Sequence, residues 1–129
     1  MPAMQAPAKV LITGANGFLA LYIVKQRLEA GYFVRGTVRS PSKEEWVKNY
    51  FSTHLGKFEY VLVSDITEEG AFNEAITGLD AVVHTASPLP DDYIGNYNTI
   101  YAPAVKGAKS ICASLQGSKT DTLRVNVCP

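Results

Sequence analysis

Residues 10–20 read Val-Leu-Ile-Thr-Gly-Ala-Asn-Gly-Phe-Leu-Ala, a short apolar run that breaks into a glycine-spaced turn and resumes as a helical pattern. Few features constrain a chain so tightly. A strand that feeds a helix through two glycines brings backbone close to an anion without Cβ clashes, and it aims the free N–H groups of the helix at that anion. The reading is a phosphate cradle built on Gly14 and Gly17. The competing reading is a tight strand–helix turn that holds nothing, and a lone Gly-x-x-Gly does not exclude it. Here the pattern follows a strand, opens a helix and starts a βαβ unit, which favours the cradle. The third position is Ala20, small enough for close helix–strand packing.

The rest of the chain alternates in the same way. After the strand at 9–13, a helix is expected over 17–30, with Phe18, Leu21, Tyr22 and Leu28 at helical spacing and Gly31 as its stop. A second strand is expected over 32–38. Ser40 as N-cap and Pro41 in the first helical position then open a helix to about residue 54. A third strand at 58–63, a short helix from Thr67 to about Ile76, and a fourth strand at 81–85 follow. A long helix is expected from Tyr93 or Asn98 to about Leu115, and 123–127 is a candidate fifth strand. Strands alternating with helices imply an α/β, Rossmann-type doubly wound parallel sheet of order 3-2-1-4-5. The order reverses between strands one and four, and the crevice at that reversal receives both the glycine turn and the segment from His84 to Pro88. Residues 1–7 are expected to be a disordered leader, 8–115 a dinucleotide-binding domain, and 116–129 a divergent tail.

The crevice carries further chemistry. Roughly 20 residues past the glycines, an acidic side chain would hold the ribose 2′-hydroxyl of NAD. This chain has Arg39 there, with Ser40 beside it and Lys43 one turn on. A guanidinium matches a phosphate bidentately and an ammonium adds a point charge, so NADP is expected over NAD. Asp65 follows strand three, where its carboxylate can accept from the adenine amine while Ile66 packs on the ring. Asp65 as a turn or helix cap ahead of Thr67 is the alternative, and both roles can operate together. Thr85, Ala86 and Ser87 follow strand four, small enough for backbone to lie along the ribose and nicotinamide. His84 reads as inward structure rather than as a base.

Composition excludes several function classes. The chain has 129 residues, 12 basic and 12 acidic, 47% hydrophobic and 19% charged. No basic cluster points to nucleic acid, and the apolar runs are too short to span a membrane. The N-terminus lacks the pattern of an export signal, so a cytoplasmic protein with free thiols is expected. Cys112, Cys128, His54 and His84 are too scattered for a metal site.

Taken together, these segments resemble the extended short-chain dehydrogenase/reductase family, also called the NAD-dependent epimerase/dehydratase family. The branch they resemble is dihydroflavonol-reductase-like and includes fungal ketoreductases and aldehyde reductases. The resemblance rests on residues 13–20, 31–40, 64–72, 84–88 and 103–107, and it covers about 8–115. It implies that Gly14, Gly17, Phe18 and Leu19 line the pyrophosphate, Arg39 the 2′-phosphate, Asp65 and Ile66 the adenine, and Thr85, Ala86 and Ser87 the ribose. It also implies a carbonyl or aldehyde reductase whose tyrosine, in a Tyr-x-x-x-Lys pair, donates the proton while the cofactor supplies hydride. None of the seven tyrosines here has lysine four positions later. The expectation is therefore the truncated, N-terminal part of such an enzyme. It would bind NADP(H), carry no catalytic residue, and meet a small carbonyl substrate only with the missing half. A non-catalytic nucleotide-binding module or a non-functional truncated product is the alternative.

Overall fold

The computed structural model describes residues 5–51, 56–86 and 101–116, together with the backbone of 124–127. Its strands are β1 (Lys9–Thr13), β2 (Phe33–Val38), β3 (Phe58–Leu62), β4 (Ala81–His84) and β5 (Arg124–Val127). Its helices are α1 (Phe18–Glu29), α2 (Pro41–Tyr50) and α3 (Ala102–Gln116). All strand pairs are parallel and the sheet order is β3-β2-β1-β4-β5, the order expected from the alternation. Ile12 pairs with Gly36, and Thr13 pairs with His84, so β1 is flanked by β2 and β4 near its carboxyl end.

Strand alternation divides the interior into two cores. Val10 and Ile12 of β1 join Val34 and Val38 of β2 under Ala20, Val24 and Leu28 of α1 and Val47 of α2. Leu11 and Val82 face the other way, onto Phe72, Ala75, Ile76, Leu79 and Ile111. Both faces of the sheet are thus covered, as an all-parallel sheet requires. Each fully buried Val or Leu in these layers contributes about 1.5–3 kcal/mol.

Helical spacing left the buried face of α1 open, and packing decides it. The buried stripe of α1 is Ala20, Val24 and Leu28, whereas Phe18 is 83% and Tyr22 59% exposed. Two residues of helix turn the side chain through about 200°, so Phe18 and Tyr22 lie on the face opposite Ala20 and Val24. Their rings pack edge to face instead, with centroids 5.6 Å apart. One expectation needs correction, the helix from Thr67 to Ile76. The segment is a series of turns, with Ala71 N–H donating to Glu68 O at 3.2 Å and Asn73 N–H to Gly70 O at 3.1 Å. Gly70 sits at φ +75°, a left-handed value that interrupts a right-handed helix. The segment still buries Phe72, Ala75 and Ile76, so its apolar spacing serves the core without a regular helix.

Smaller boundaries also shift. Ser40 is the N-cap of α2 and Pro41 its first residue, but the Ser40 hydroxyl makes no cap hydrogen bond and lies 3.2 Å from that of Ser42. The helix ends at Tyr50, with Phe51 as C-cap, short of residue 54. The expected start of the long helix between Tyr93 and Asn98, and His54 and Cys128, lie outside the described residues. So do residues 1–4 of the expected leader. Among the described residues, no helix is long and apolar enough to cross a membrane.

Candidate functional site

The carboxyl edge of the sheet is where the glycine turn arrives. Gly14 takes φ +65°, which β-carbon sterics disfavour in other residues. Its N–H donates to Thr37 Oγ1 at 3.1 Å, and Ala15 N–H donates to Thr37 O at 2.9 Å. The turn is therefore sewn to the end of β2. A Cβ added at Gly14 would meet Ala86 Cα at 3.1 Å, so the turn also lies against the exit of β4. Under it, a Cβ added at Gly36 would meet Ala15 Cβ at 2.6 Å. Gly36 and Thr37 are site-building residues that motif reading passed over. A glycine inside a strand was the available signal, since it marks close approach of another backbone. Thr37 carried none.

The first bond of α1 runs from Leu21 N–H to Gly17 O at 2.9 Å. The N–H groups of Phe18, Leu19 and Ala20 precede it and have no acceptor within the helix. Gly17 offers no side-chain cap, and no acidic residue occupies the first turn. The positive end of the helix dipole is left uncompensated beside a glycine cradle, and the donor set fits a pyrophosphate.

The opposite wall is held from beneath by Thr13. Its Oγ1 accepts from the N–H groups of Thr85 and Ala86, both at 3.0 Å, and lies 2.8 Å from His84 Nδ1. The Thr85 hydroxyl in turn donates to the Thr13 carbonyl. Thr85 thus uses its side chain on the scaffold, and what it leaves toward the crevice is backbone. His84 is buried, and that burial pushes its pKa below the ordinary histidine value. Ser87 lies outside the described residues.

Arg39 follows the last residue of β2 and is exposed. Among the described residues it makes no hydrogen bond or ion pair. Its charge is felt at Asp65, whose carboxyl is held below the usual carboxylate range. The Thr67 hydroxyl and N–H are the main causes, opposed slightly by desolvation, with Arg39 and Lys106 adding attraction. Asp65 Oδ1 accepts from Thr67 N–H at 2.9 Å and from its hydroxyl at 2.6 Å. The turn-capping role expected for Asp65 is present, and it leaves Oδ2 for a further donor. Ile66 is half-buried against α3, where a Cβ added at Gly107 would meet its Cδ1 at 2.8 Å. Lys106, a cation near Asp65 on α3, was not singled out by sequence reading. Lys43 belongs to α2, with its side chain outside the described set.

A cavity of about 250 Å³ opens at the other edge, lined by Lys9, Phe33, Arg35, Lys57, Phe58 and Glu59 among others. It sits where β1, β2 and β3 begin, and its carboxylate, Glu59, is already paired with Arg35 at 2.8 Å. The glycine turn, the helix terminus and Arg39 all lie at the carboxyl edge, so the candidate site is there.

Comparison with known proteins bears on this geometry. The model of the NAD dependent epimerase/dehydratase family matches residues 10–125. Ketoreductase adrE of Penicillium roqueforti is 48% identical over 85 residues, 64% of this chain and 25% of that protein. Tetraketide alpha-pyrone reductase 2 of Arabidopsis thaliana is 40% identical over 121 residues, 92% of this chain and 37% of that protein. The crystal structure of yeast methylglyoxal/isovaleraldehyde reductase Gre2 complexed with NADPH superimposes with a TM-score of 0.84 at 34% identity. It covers 92% of this chain and 36% of that one. The chain thus spans between a quarter and two-fifths of the length of these relatives.

Proposed function

This chain belongs to the NAD dependent epimerase/dehydratase family, and on that premise we propose that it forms the NADP(H)-binding part of a carbonyl or aldehyde reductase. The observation that carries the reading is Arg39. It stands exposed just past the end of β2, close enough for its charge to act on Asp65, in the position where a dinucleotide fold specific for NAD places an acid. The NADPH in the Gre2 crystal structure supports the same cofactor.

Each residue group has a defined task in this reading. The N–H groups of Phe18 and Leu19 and the backbone at Gly14 and Gly17 hold the pyrophosphate. Arg39, with Lys43, takes the 2′-phosphate through charge-assisted hydrogen bonds. Asp65 accepts from the adenine amine while its Oδ1 remains on Thr67, and Ile66 borders the ring. The backbone of Thr85 and Ala86, continued by Ser87, lies along the ribose. When bound, the cofactor supplies hydride to a carbonyl carbon. We assign no catalytic residue within these 129 residues, because no tyrosine is followed by lysine four positions on. Domain limits of 8–115 for the nucleotide-binding unit and 116–129 for a divergent tail belong to the same proposal.

Calorimetric titration with NADPH and NADH tests it. Tighter binding of NADPH is expected, and equal affinities overturn the role of Arg39. Incubation with NADPH and a panel of aldehydes is expected to give no turnover by this chain. Clear oxidation of NADPH would show a proton donor other than a Tyr-x-x-x-Lys pair.

A further inference from the structure

His84 touches the candidate site only through another residue. Its buried ring stands edge-on to Phe72, with centroids 6.1 Å apart, and its Nδ1 meets the Thr13 hydroxyl. A hydroxyl has one proton and two lone pairs, and a backbone N–H can only donate. Thr13 Oγ1 already accepts from Thr85 N–H and Ala86 N–H, which occupies both lone pairs. Its proton must then go to His84 Nδ1, 2.8 Å away. That assigns His84 as the neutral ring with its own proton on Nε2.

We propose that His84 is a positioning residue for the nucleotide: by accepting the Thr13 proton at Nδ1, it turns both lone pairs of Thr13 toward the N–H groups of Thr85 and Ala86 and so holds the crevice wall against the glycine turn. The inference rests on the nucleotide-binding reading above. Its force comes from Ala86, whose Cα is the atom a Cβ at Gly14 would strike. A shift at 85–86 therefore moves the floor of the cradle itself.

The arrangement depends on the charge of His84. A protonated ring carries a hydrogen on Nδ1 and can only donate there. Thr13 Oγ1 would then face three donors with two lone pairs, and one N–H of the wall would lose its partner. Among the described residues His84 meets Thr13 on β1 and Phe72 on the 66–78 turns and pairs with the β5 backbone at Val127, and none of these titrates. Burial, and the Thr13 proton held at Nδ1, both favour the neutral ring, so protonation occurs below the ordinary histidine value of 6.5. Nucleotide affinity is expected to be level above that value and to fall as His84 takes up its proton.

The test uses the full chain, with affinities for NADPH and NADH measured from about pH 8 down to about pH 5, across the histidine range. NADH is included because the 2′-phosphate of NADPH itself titrates near pH 6. Imidazole nitrogen NMR on the same samples reads the tautomer and protonation of His84. Both nucleotides are expected to lose about tenfold in affinity in step with the protonation of His84. In His84→Asn the amide oxygen takes the place of Nδ1 as acceptor and does not titrate. This variant is expected to keep its affinity at high pH within about threefold and to change less than about twofold on acidification. A hydrogen on Nδ1 in the neutral ring overturns the proposal, as does affinity that persists once His84 is protonated. An equal acid loss in His84→Asn overturns the positioning role while leaving the nucleotide reading intact. No binding of either nucleotide at high pH overturns both. Should His84→Asn fail to fold, Thr13→Ser and Thr13→Val decide the matter: the serine is expected to bind about tenfold more tightly, and equal affinity overturns the proposal.

Discussion

Arg35 and Arg39 lie on one strand and its exit, and they do opposite things. Arg35 is only 14% exposed, and Nε donates to Glu59 Oε1 at 2.8 Å. Its Nη1 donates to the carbonyls of Ala75 and Thr77 at 2.7 and 2.8 Å. Those bonds tie β2 to β3 and to the end of the 66–78 turns. Arg39, at the carboxyl edge, is exposed and makes no hydrogen bond among the described residues. The amino edge is braced by a cation whose Nε and Nη1 are engaged. The carboxyl edge presents, beside the glycine turn, a cation and a helix terminus whose donors have no acceptor among the described residues. Position in the sequence already marked Arg39, and the structure adds that it lacks the acceptors that hold Arg35.

Substitutions at the two arginines sharpen this contrast. Arg39→Asp removes the proposed phosphate partner and places an acid at the position that reads NAD in such folds, so the NADPH-to-NADH affinity ratio is expected to fall by about 10–100-fold. An unchanged ratio in calorimetry would break the comparison. Arg35→Leu leaves Glu59 and two carbonyls without their donor and is expected to cost about 2 kcal/mol in denaturant unfolding. The affinity ratio should not move, and a selective loss of NADPH binding there would erase the distinction between the edges. The smallest effect concerns hydroxyls. Those of Thr13, Thr37 and Thr85 at the carboxyl edge all make hydrogen bonds, whereas Ser114 Oγ on α3 is buried with no partner among the described residues. Ser114→Ala is expected to be neutral or to stabilise by up to about 1 kcal/mol, read as a shift in thermal midpoint. A loss of 2 kcal/mol or so would reveal a bond to Ser114.

Much of the fold was legible because its signals are local. Strand alternation and the spacing between strands dictated the order 3-2-1-4-5, since parallel neighbours need a crossover and short crossovers leave few arrangements. The glycine turn was legible because its left-handed φ at Gly14 needs a residue without a β-carbon. The Thr67–Ile76 helix was misread because apolar spacing reports which residues are buried and not whether the backbone between them is regular. Gly70 set the conformation there. The helical spacing of Phe18, Leu21, Tyr22 and Leu28 announced α1 without saying which face meets the sheet, and packing chose Ala20, Val24 and Leu28.

By itself, the sequence determined the doubly wound sheet, the glycine turn at Gly14 and Gly17 that opens α1, and the cation at residue 39. These depend on steric limits, periodicity and charge, which each residue carries wherever it sits. Only the tertiary structure decided that Arg35 is a brace while Arg39 has no acceptor among the described residues, that Gly36 clears space for Ala15, and that Thr13 links His84 to the wall at Thr85 and Ala86. Those outcomes depend on distances between residues far apart in the chain. A hydrogen bond exists only when folding brings its acceptor within about 3 Å.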